Sequence, residues 1–316
     1  MPEIFRVENL DTWIRGEVES AGATEKRWFR DPSSDGGRWL FKPHTFKELK
    51  LSKERVAKGD APDFLRCGEH WAEKISFEIA ELLAVPSAVT RLAKVHHHTS
   101  GELLTGSMSL DFAPSNWEFA PGATILSSLD PEFDTDKCIG HTLEAVHQSL
   151  RDLGGPPDSA YSEWQAFDVW AGYLLLDALI ANTDRHAHNW AILQRPNDGR
   201  EFLAPSFDHG SSLGSKLDDS FRAPRTDRSA AAAWCEKGNT RKFDGGARNS
   251  LVYLAERGLS MCSEDSRKYW VERLNSLDLG QATAVVDSVP DLSESTSTFI
   301  KNVLEVNLRR LRHALD

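Results

Sequence analysis

Apolar and polar positions change period along the chain, from strand-like runs in its first third to helical spacing beyond. Arg27-Trp28-Phe29 and Arg38-Trp39-Leu40-Phe41-Lys42-Pro43 are short aromatic-rich runs separated by the turn Asp35-Gly36-Gly37, which predicts a hairpin. His44 to Asp63 is charged and reads as a loop or irregular helix. From Glu69 to Ala84, Ala72, Ile75, Ile79, Leu82 and Leu83 recur at helical spacing, and the helix must stop before Pro86. Pro86 to Val95 and Glu102 to Phe112 read as strands around a turn carrying His96, His97 and His98. Three consecutive histidines cannot face one side of a strand, so that turn is solvated rather than metal-binding. Leu110-Asp111-Phe112, at the end of the second strand, is the expected junction with a helical region, and its backbone groups suit an adenine edge.

Past that junction, Pro121 to Thr124 reads as a loop and Thr135 to Leu153 as a helix. Ser162-x-x-Gln165 reads as a capping box opening a helix over 164–180. Phe167, Val169, Trp170, Tyr173, Leu174, Leu175, Leu176, Leu179 and Ile180 leave that helix with almost no polar face, so it belongs in the core of its lobe. Asp168 and Asp177 on it are expected to be structural. Ser211 to Asp227 is polar and reads as a mobile, substrate-facing loop. Helices are expected over 229–234, 247–257, 266–277 and 296–314.

The buried helix runs straight into a dense polar cluster, Asn182-Thr183-Asp184-Arg185-His186-Ala187-His188-Asn189. Two apolar arms follow, 190–194 and 201–205, joined by the turn formers of Arg195-Pro196-Asn197-Asp198-Gly199-Arg200. That pattern predicts a hairpin whose mouth brings Asn189 and Asp208 together. Asp184 and Asn189 have the Asp-x-x-x-x-Asn spacing of protein kinases, and Asp208 in Ser206-Phe207-Asp208-His209-Gly210 stands where those enzymes place a second metal-binding aspartate. An amide oxygen and a carboxylate, completed by phosphate oxygens and water, suit Mg²⁺. Asp184 has only Arg185 as a neighbouring cation and is expected to be free to orient a hydroxyl.

Lys42 lies in an apolar strand, where an inward ammonium needs an anion. Kinases use such a lysine on nucleotide phosphates, positioned by a helix glutamate. Glu69 and Glu73 are one turn apart on the following helix, and Glu73, deeper in it, is the expected partner. The small residues of Ala21-Gly22-Ala23-Thr24-Glu25-Lys26 suit a loop over phosphates, with Gly22 and Ala23 admitting close backbone N–H groups. Neither Gly-x-Gly-x-x-Gly nor a Gly-Lys-Ser/Thr motif occurs, which disfavours a P-loop NTPase.

Composition narrows the partners. The 316 residues suit one large or two closely joined domains, and 37 Lys and Arg against 48 Asp and Glu give a net charge of -11, against direct nucleic-acid binding. No apolar run has membrane-spanning length and the start has no signal-peptide pattern, so a cytoplasmic location is the default expectation. The 4 cysteines are scattered, without a Cys-x-x-Cys pair, and suggest neither a zinc cluster nor a disulfide framework.

At Asn182-Thr183-Asp184-Arg185-His186-x-x-Asn189 and Ala204-Pro205-x-x-Asp208 the sequence resembles the HipA-like serine/threonine kinases of bacterial toxin–antitoxin systems. The resemblance extends to Gly22-Ala23-x-x-Lys26, to Lys42, and to Ala72-Glu73-Lys74-Ile75 through Pro86. It implies an α+β, two-lobed, protein-kinase-like fold, with a small β-rich lobe over 1–112 and a larger helical lobe over 113–316. ATP and Mg²⁺ would be its cofactors. By that likeness Asp184 is the catalytic base, and Asn189 and Asp208 are the Mg²⁺ ligands. Lys42 contacts phosphate, residues Ala21 to Lys26 form the phosphate loop, and Leu110, Asp111 and Phe112 form the hinge. His186, His188 and His209 flank the nucleotide. The likeness also implies a protein acceptor with a serine or threonine, such as an aminoacyl-tRNA synthetase or another translation protein, and an antitoxin protein as partner. Longer members carry an additional N-terminal domain, so this chain reads as a minimal kinase core. The serine that such kinases autophosphorylate is replaced by Glu19, with Ser20 beside it.

Two other functions fit parts of the pattern. Phosphatidylinositol 4-kinases are also similar at Asn-Thr-Asp-Arg and at Asp-x-Gly, but no basic amphipathic segment for an anionic membrane is present here. A catalytically inactive pseudokinase acting as a binding module would not need the full Lys, Asp, Asn, Asp set.

Overall fold

A six-stranded sheet and a helical mass, joined through one helix that packs on both, make up the computed structural model, which describes residues 4–19, 26–33, 37–49, 63–113 and 116–316. The sheet contains β1 (Val7–Asn9), β2 (Ile14–Glu19), β3 (Lys26–Arg30) and β4 (Arg38–Pro43). After β5 (Phe46–Leu49), β6 (Asp63–Arg66) and helix α1 (Glu69–Leu83) it gains β7 (Thr90–His96) and β8 (Leu103–Leu110). Its order is β1-β7-β8-β4-β3-β2, antiparallel throughout except for the β1–β7 pair. Phe29, Trp39, Phe41, Val95 and Met108 fill a core of their own on this sheet. The hairpin expected over 27–43 is present, whereas Phe46–Leu49 forms a strand paired with Asp63–Arg66 where a loop or helix was expected. Residues 50–62 lie outside the described residues.

Helix α1 ends as its sequence dictates. Ala84 takes a left-handed conformation (φ 59°), its N–H closes on Ala80 and Glu81, and Pro86 follows. Its last turn is tied to the helical part, where Tyr161 donates to the Ala84 carbonyl and Arg273 Nη2 reaches Leu82 O at 3.1 Å.

The second half begins with β9 (Glu118–Pro121) and α2 (Gly122–Leu129), so Pro121 to Thr124 is a strand end and helix start rather than a loop. Gly122 is required there, because a Cβ would lie 2.1 Å from the Trp190 ring. Only α3 (Leu143–Ser149) forms of the helix expected over 135–153: Gly140 (φ 79°) interrupts the chain and Thr142 caps the short helix. Next, α4 (Ala166–Leu179) starts later than the Ser162 capping box suggests, with Gln165 as cap and no side-chain cap bond. Every residue of α4 is buried, as its all-round apolarity requires.

Then β10 (Ala191–Gln194) pairs antiparallel with β11 (Glu201–Leu203) on one side, forming the expected hairpin, and with β9 on the other. The segment expected to be a mobile loop is built from turns around buried Ser212 and Ser215 and from the short α5 (Asp219–Arg222), capped by Asp218. Helices α6 (Arg228–Glu236), α7 (Leu251–Ser260), α8 (Glu264–Ser276), α9 (Leu279–Asp287) and α10 (Glu294–Leu315) complete the chain, α9 being unforeseen. Among the described residues no helix is long and apolar enough to cross a membrane.

Candidate active site

Arg185 organises the site from beneath. Its guanidinium is buried and grips Asp177 of α4 with both arms, Nε to Oδ2 at 2.7 Å and Nη2 to Oδ1 at 2.8 Å. It also donates to Ser206 Oγ (2.9 Å), to the Asn189 carbonyl (2.6 Å) and to the Phe207 carbonyl (3.5 Å). One side chain thus joins the core helix, the loop after it and the segment that leads to Asp208. Such a planar, five-donor fork suits a buried junction where lysine would not. Asn182 Nδ2 donates to the same Asp177 at 2.8 Å, so both α4 aspartates are structural as expected, Asp168 accepting from Ser263 Oγ at 2.6 Å.

On this base the loop orients its polar groups. Asn189 Nδ2 donates to the Asp184 carbonyl (2.8 Å), which fixes the amide and leaves Oδ1 as the lone-pair donor. The Asp184 carboxylate is not free, contrary to expectation. Lys242 Nζ lies 2.9 Å from Oδ1, and Ser211 Oγ donates to Oδ2 at 3.1 Å. Lys242 is itself held in place. Its carbonyl bonds the His141 ring at 2.6 Å, and nearby Thr240 Oγ1 donates to the Thr183 carbonyl at 2.8 Å. Burial keeps His141 neutral, with a pKa pushed down to about 4, so its other ring nitrogen accepts the Trp190 N–H (3.2 Å). No local motif links Lys242 to Asp184, which is why the sequence does not announce it.

Asp208 takes a left-handed backbone conformation (φ 58°) that aspartate tolerates better than most residues. The stretch before it is pinned by Ser206 N–H to Pro86 O and Ala88 N–H to Ser206 O, both 2.9 Å, which sets Asp208 against the end of α1. Lys42 on β4 meets it directly, Nζ to Oδ1 at 3.1 Å. Glu73, the expected lysine partner, instead accepts the His209 backbone N–H at 2.9 Å and acts on Lys42 through its charge. Burial alone would lower the Lys42 pKa; Asp208, Glu73 and Glu69 outweigh it and raise it. Burial would likewise raise Asp208, but Lys42 and then Lys26 hold its carboxyl well below the usual range. Glu73 is pushed up to about 7 by burial and by Asp208. Glu69 takes the Thr45 hydroxyl at 2.6 Å.

The remaining candidates are distributed unevenly. His209 is buried, neutral with a pKa pushed down to about 4, and bonded through Nε2 to Ser206 Oγ at 2.7 Å, so it braces the loop. His186 is half-buried and lowered by burial, and the exposed His188 bonds it through its backbone N–H (3.2 Å). At the junction, the Leu110 N–H is spent on Val89 O and the Asp111 N–H on Arg38 O, so neither serves a base edge; the Asp111 carboxylate holds Arg38 at 2.7 Å. Phe112 stacks on Phe207 (5.4 Å between centroids) above the small core of β10 and β11, an apolar wall of the kind a nucleobase packs against. Lys26 begins β3, while Ala21, Gly22, Ala23, Thr24 and Glu25 lie outside the described residues.

A divalent cation fits this donor set only together with a ligand. Among the described residues no group of three His, Cys, Asp or Glu side chains is placed to hold a metal alone. One amide oxygen and one carboxylate at the hairpin mouth match Mg²⁺ that is bound through nucleotide phosphates and water.

No family model matches the sequence, and no curated protein matches it. Among solved structures, the fold is similar to that of the Helicobacter pylori proinflammatory kinase CtkA, with a TM-score of 0.70, 14% identity, and coverage of 98% of this chain and 97% of that one. It is also similar to the Golgi casein kinase, with a TM-score of 0.50, 14% identity, and 96% and 74% covered. HipA of Shewanella oneidensis, solved with HipB and operator DNA, aligns at a TM-score of 0.49 and 10% identity over 98% of this chain and 67% of that one. The likeness to CtkA and to the Golgi casein kinase shows a protein-kinase-like fold, and those two structural neighbours are kinases.

Proposed function

We propose that the chain is an ATP- and Mg²⁺-dependent protein kinase that transfers the γ-phosphoryl group to a serine or threonine hydroxyl. The observation that carries this reading is the convergence of Lys42 and Asp208, 3.1 Å apart, with the loop of Asp184 and Asn189, to which Arg185 ties the Asp208 segment. In this reading Lys42 exchanges part of its contact with Asp208 for phosphate oxygens when nucleotide enters, and Glu73 keeps its charge in place. Asn189 and Asp208 would hold a Mg²⁺ ion, which would supply charge neutralisation for the transferring group. Asp184 orients the acceptor hydroxyl and takes its proton, with Lys242 fixing the carboxylate plane. Positioning and charge compensation supply most of the rate in such transfers.

The motif resemblance supports a HipA-like kinase whose helical lobe starts near residue 113, acting in the cytoplasm on a translation protein such as an aminoacyl-tRNA synthetase, with an antitoxin as partner. Incubation with γ-labelled ATP, Mg²⁺ and dephosphorylated casein, followed by phosphoamino-acid analysis, tests the reading. Label on serine or threonine is expected. Label entering phosphoinositide liposomes but not protein would replace it with a lipid kinase, and nucleotide binding without any transfer would replace it with a pseudokinase.

A further inference from the structure

Ser211 already makes the bond that an acceptor hydroxyl must make. Its Oγ donates to Asp184 Oδ2 at 3.1 Å, while Lys242 holds Oδ1 at 2.9 Å, so the carboxylate presents one oxygen to a lysine and the other to a hydroxyl. A general base needs hydrogen-bond reach to the proton it removes, and Ser211 is within it. The hydroxyl also accepts from Lys216 Nζ at 3.0 Å, so one ammonium group sits on the hydroxyl and another, from Lys242, on the far oxygen of the carboxylate it bonds. Neighbouring serines are committed elsewhere: Ser206 to His209 and Arg185, Ser212 to Ser76 at 2.8 Å, and Ser215 to the Gly210 carbonyl at 2.6 Å.

We propose that Ser211 is a site of intramolecular phosphorylation, a step that rests on the phosphotransferase reading above. Ser211 is three residues beyond Asp208, so its hydroxyl is tethered beside the nucleotide site at high effective concentration. The Ser211 Oγ–Pγ bond forms as the bond from Pγ to the bridging oxygen of ATP breaks. ADP leaves with that electron pair, and the Oγ proton passes to Asp184 Oδ2. The phosphoserine carries a charge of about −1.5 to −2, which the Asp184 carboxylate repels and Lys216 and Lys242 attract. Held there, it covers the acceptor position, and transfer to outside proteins slows as it accumulates.

The test incubates the full chain with Mg²⁺-ATP and maps phosphate by fragmentation of the tryptic peptide 201–216, which contains all four serines, with casein labelling followed in parallel. Phosphate on Ser211 is expected, appearing with a first-order rate constant independent of enzyme dilution and accompanied by declining casein labelling. Ser211→Ala should lose that phosphate, and Ser211→Thr should keep it. Casein labelled by a chain whose Ser211 stays unmodified, or phosphate on Ser206, Ser212 or Ser215 instead, overturns this inference and leaves the kinase reading standing. A rate constant that rises with enzyme concentration overturns the intramolecular step. Label on neither casein nor the chain overturns the kinase reading and this inference with it.

Discussion

Replacing Asp177 with alanine strands the guanidinium that holds the site together. Both partners of the Asp177–Arg185 pair are only 2% exposed, and the substitution removes the bidentate contact at 2.7 and 2.8 Å while Arg185 stays buried. Breaking a buried pair from one side costs about 3–5 kcal/mol, because the remaining charge loses its compensation. At roughly 1.5 °C per kcal/mol for a chain this long, the melting temperature should fall by about 5–8 °C. Urea unfolding followed by tryptophan fluorescence reads the change directly, since Trp170 and Trp190 are buried beside the pair's helix and loop. The double substitution Asp177→Leu with Arg185→Met removes both charges, so it should cost clearly less than the sum of the single changes. Asp177→Ala costing under about 1 kcal/mol, or strict additivity in the double variant, would refute the role given to Arg185.

Further expectations follow from other parts of the site. Gly106 lies on β8 opposite Pro43, where a Cβ would sit 2.1 Å from the Lys42 carbonyl oxygen. Gly106→Ala should therefore destabilise by about 1–3 kcal/mol and weaken ATP binding by shifting β4, with unchanged ATP affinity as the contrary result. His141 and His209 have folded pKa values of about 4 against an ordinary 6.5. The unfolded chain then binds more protons between those values, so their contribution is intact above pH 6.5 and is lost toward pH 4, by up to about 1.4 kcal/mol per pH unit for each. Glu73, raised from 4.5 to about 7, acts with the opposite sign across that interval: its burden grows as pH rises. His141→Gln can keep both bonds of the ring without titrating, and its urea midpoint should fall less steeply on acidification than that of the parent. An identical slope would show that His141 is not kept neutral by the fold.

The long, strongly patterned elements were legible in the sequence, and so was the cluster they present. Helix α1, the α4 core helix and the hairpin of β10 and β11 follow from periodicity and turn residues, because burial enforces those patterns locally. Reading failed where tertiary contacts override local signals. Gly122 looks like a loop residue but starts a helix because the Trp190 ring needs its missing side chain. Ser162 looks like a cap, yet the helix waits until Ala166. The opposite lapse occurs at α9, where Asp278 caps the Gly280 and Gln281 N–H groups and gives a signal that was available. In the site, Asp184, Asn189 and Asp208 are marked by spacing, whereas Lys242 and the contact of Lys42 with Asp208 join residues distant in sequence and have no local signature.

The assignment of Asp184 as the group that receives the acceptor proton is open to one decisive reading: the initial rate of phosphate transfer from γ-labelled ATP to casein by the Asp184→Asn protein at saturating nucleotide. A fall of about 10²–10⁴-fold with ATP still bound is expected. Transfer at the parental rate would contradict it.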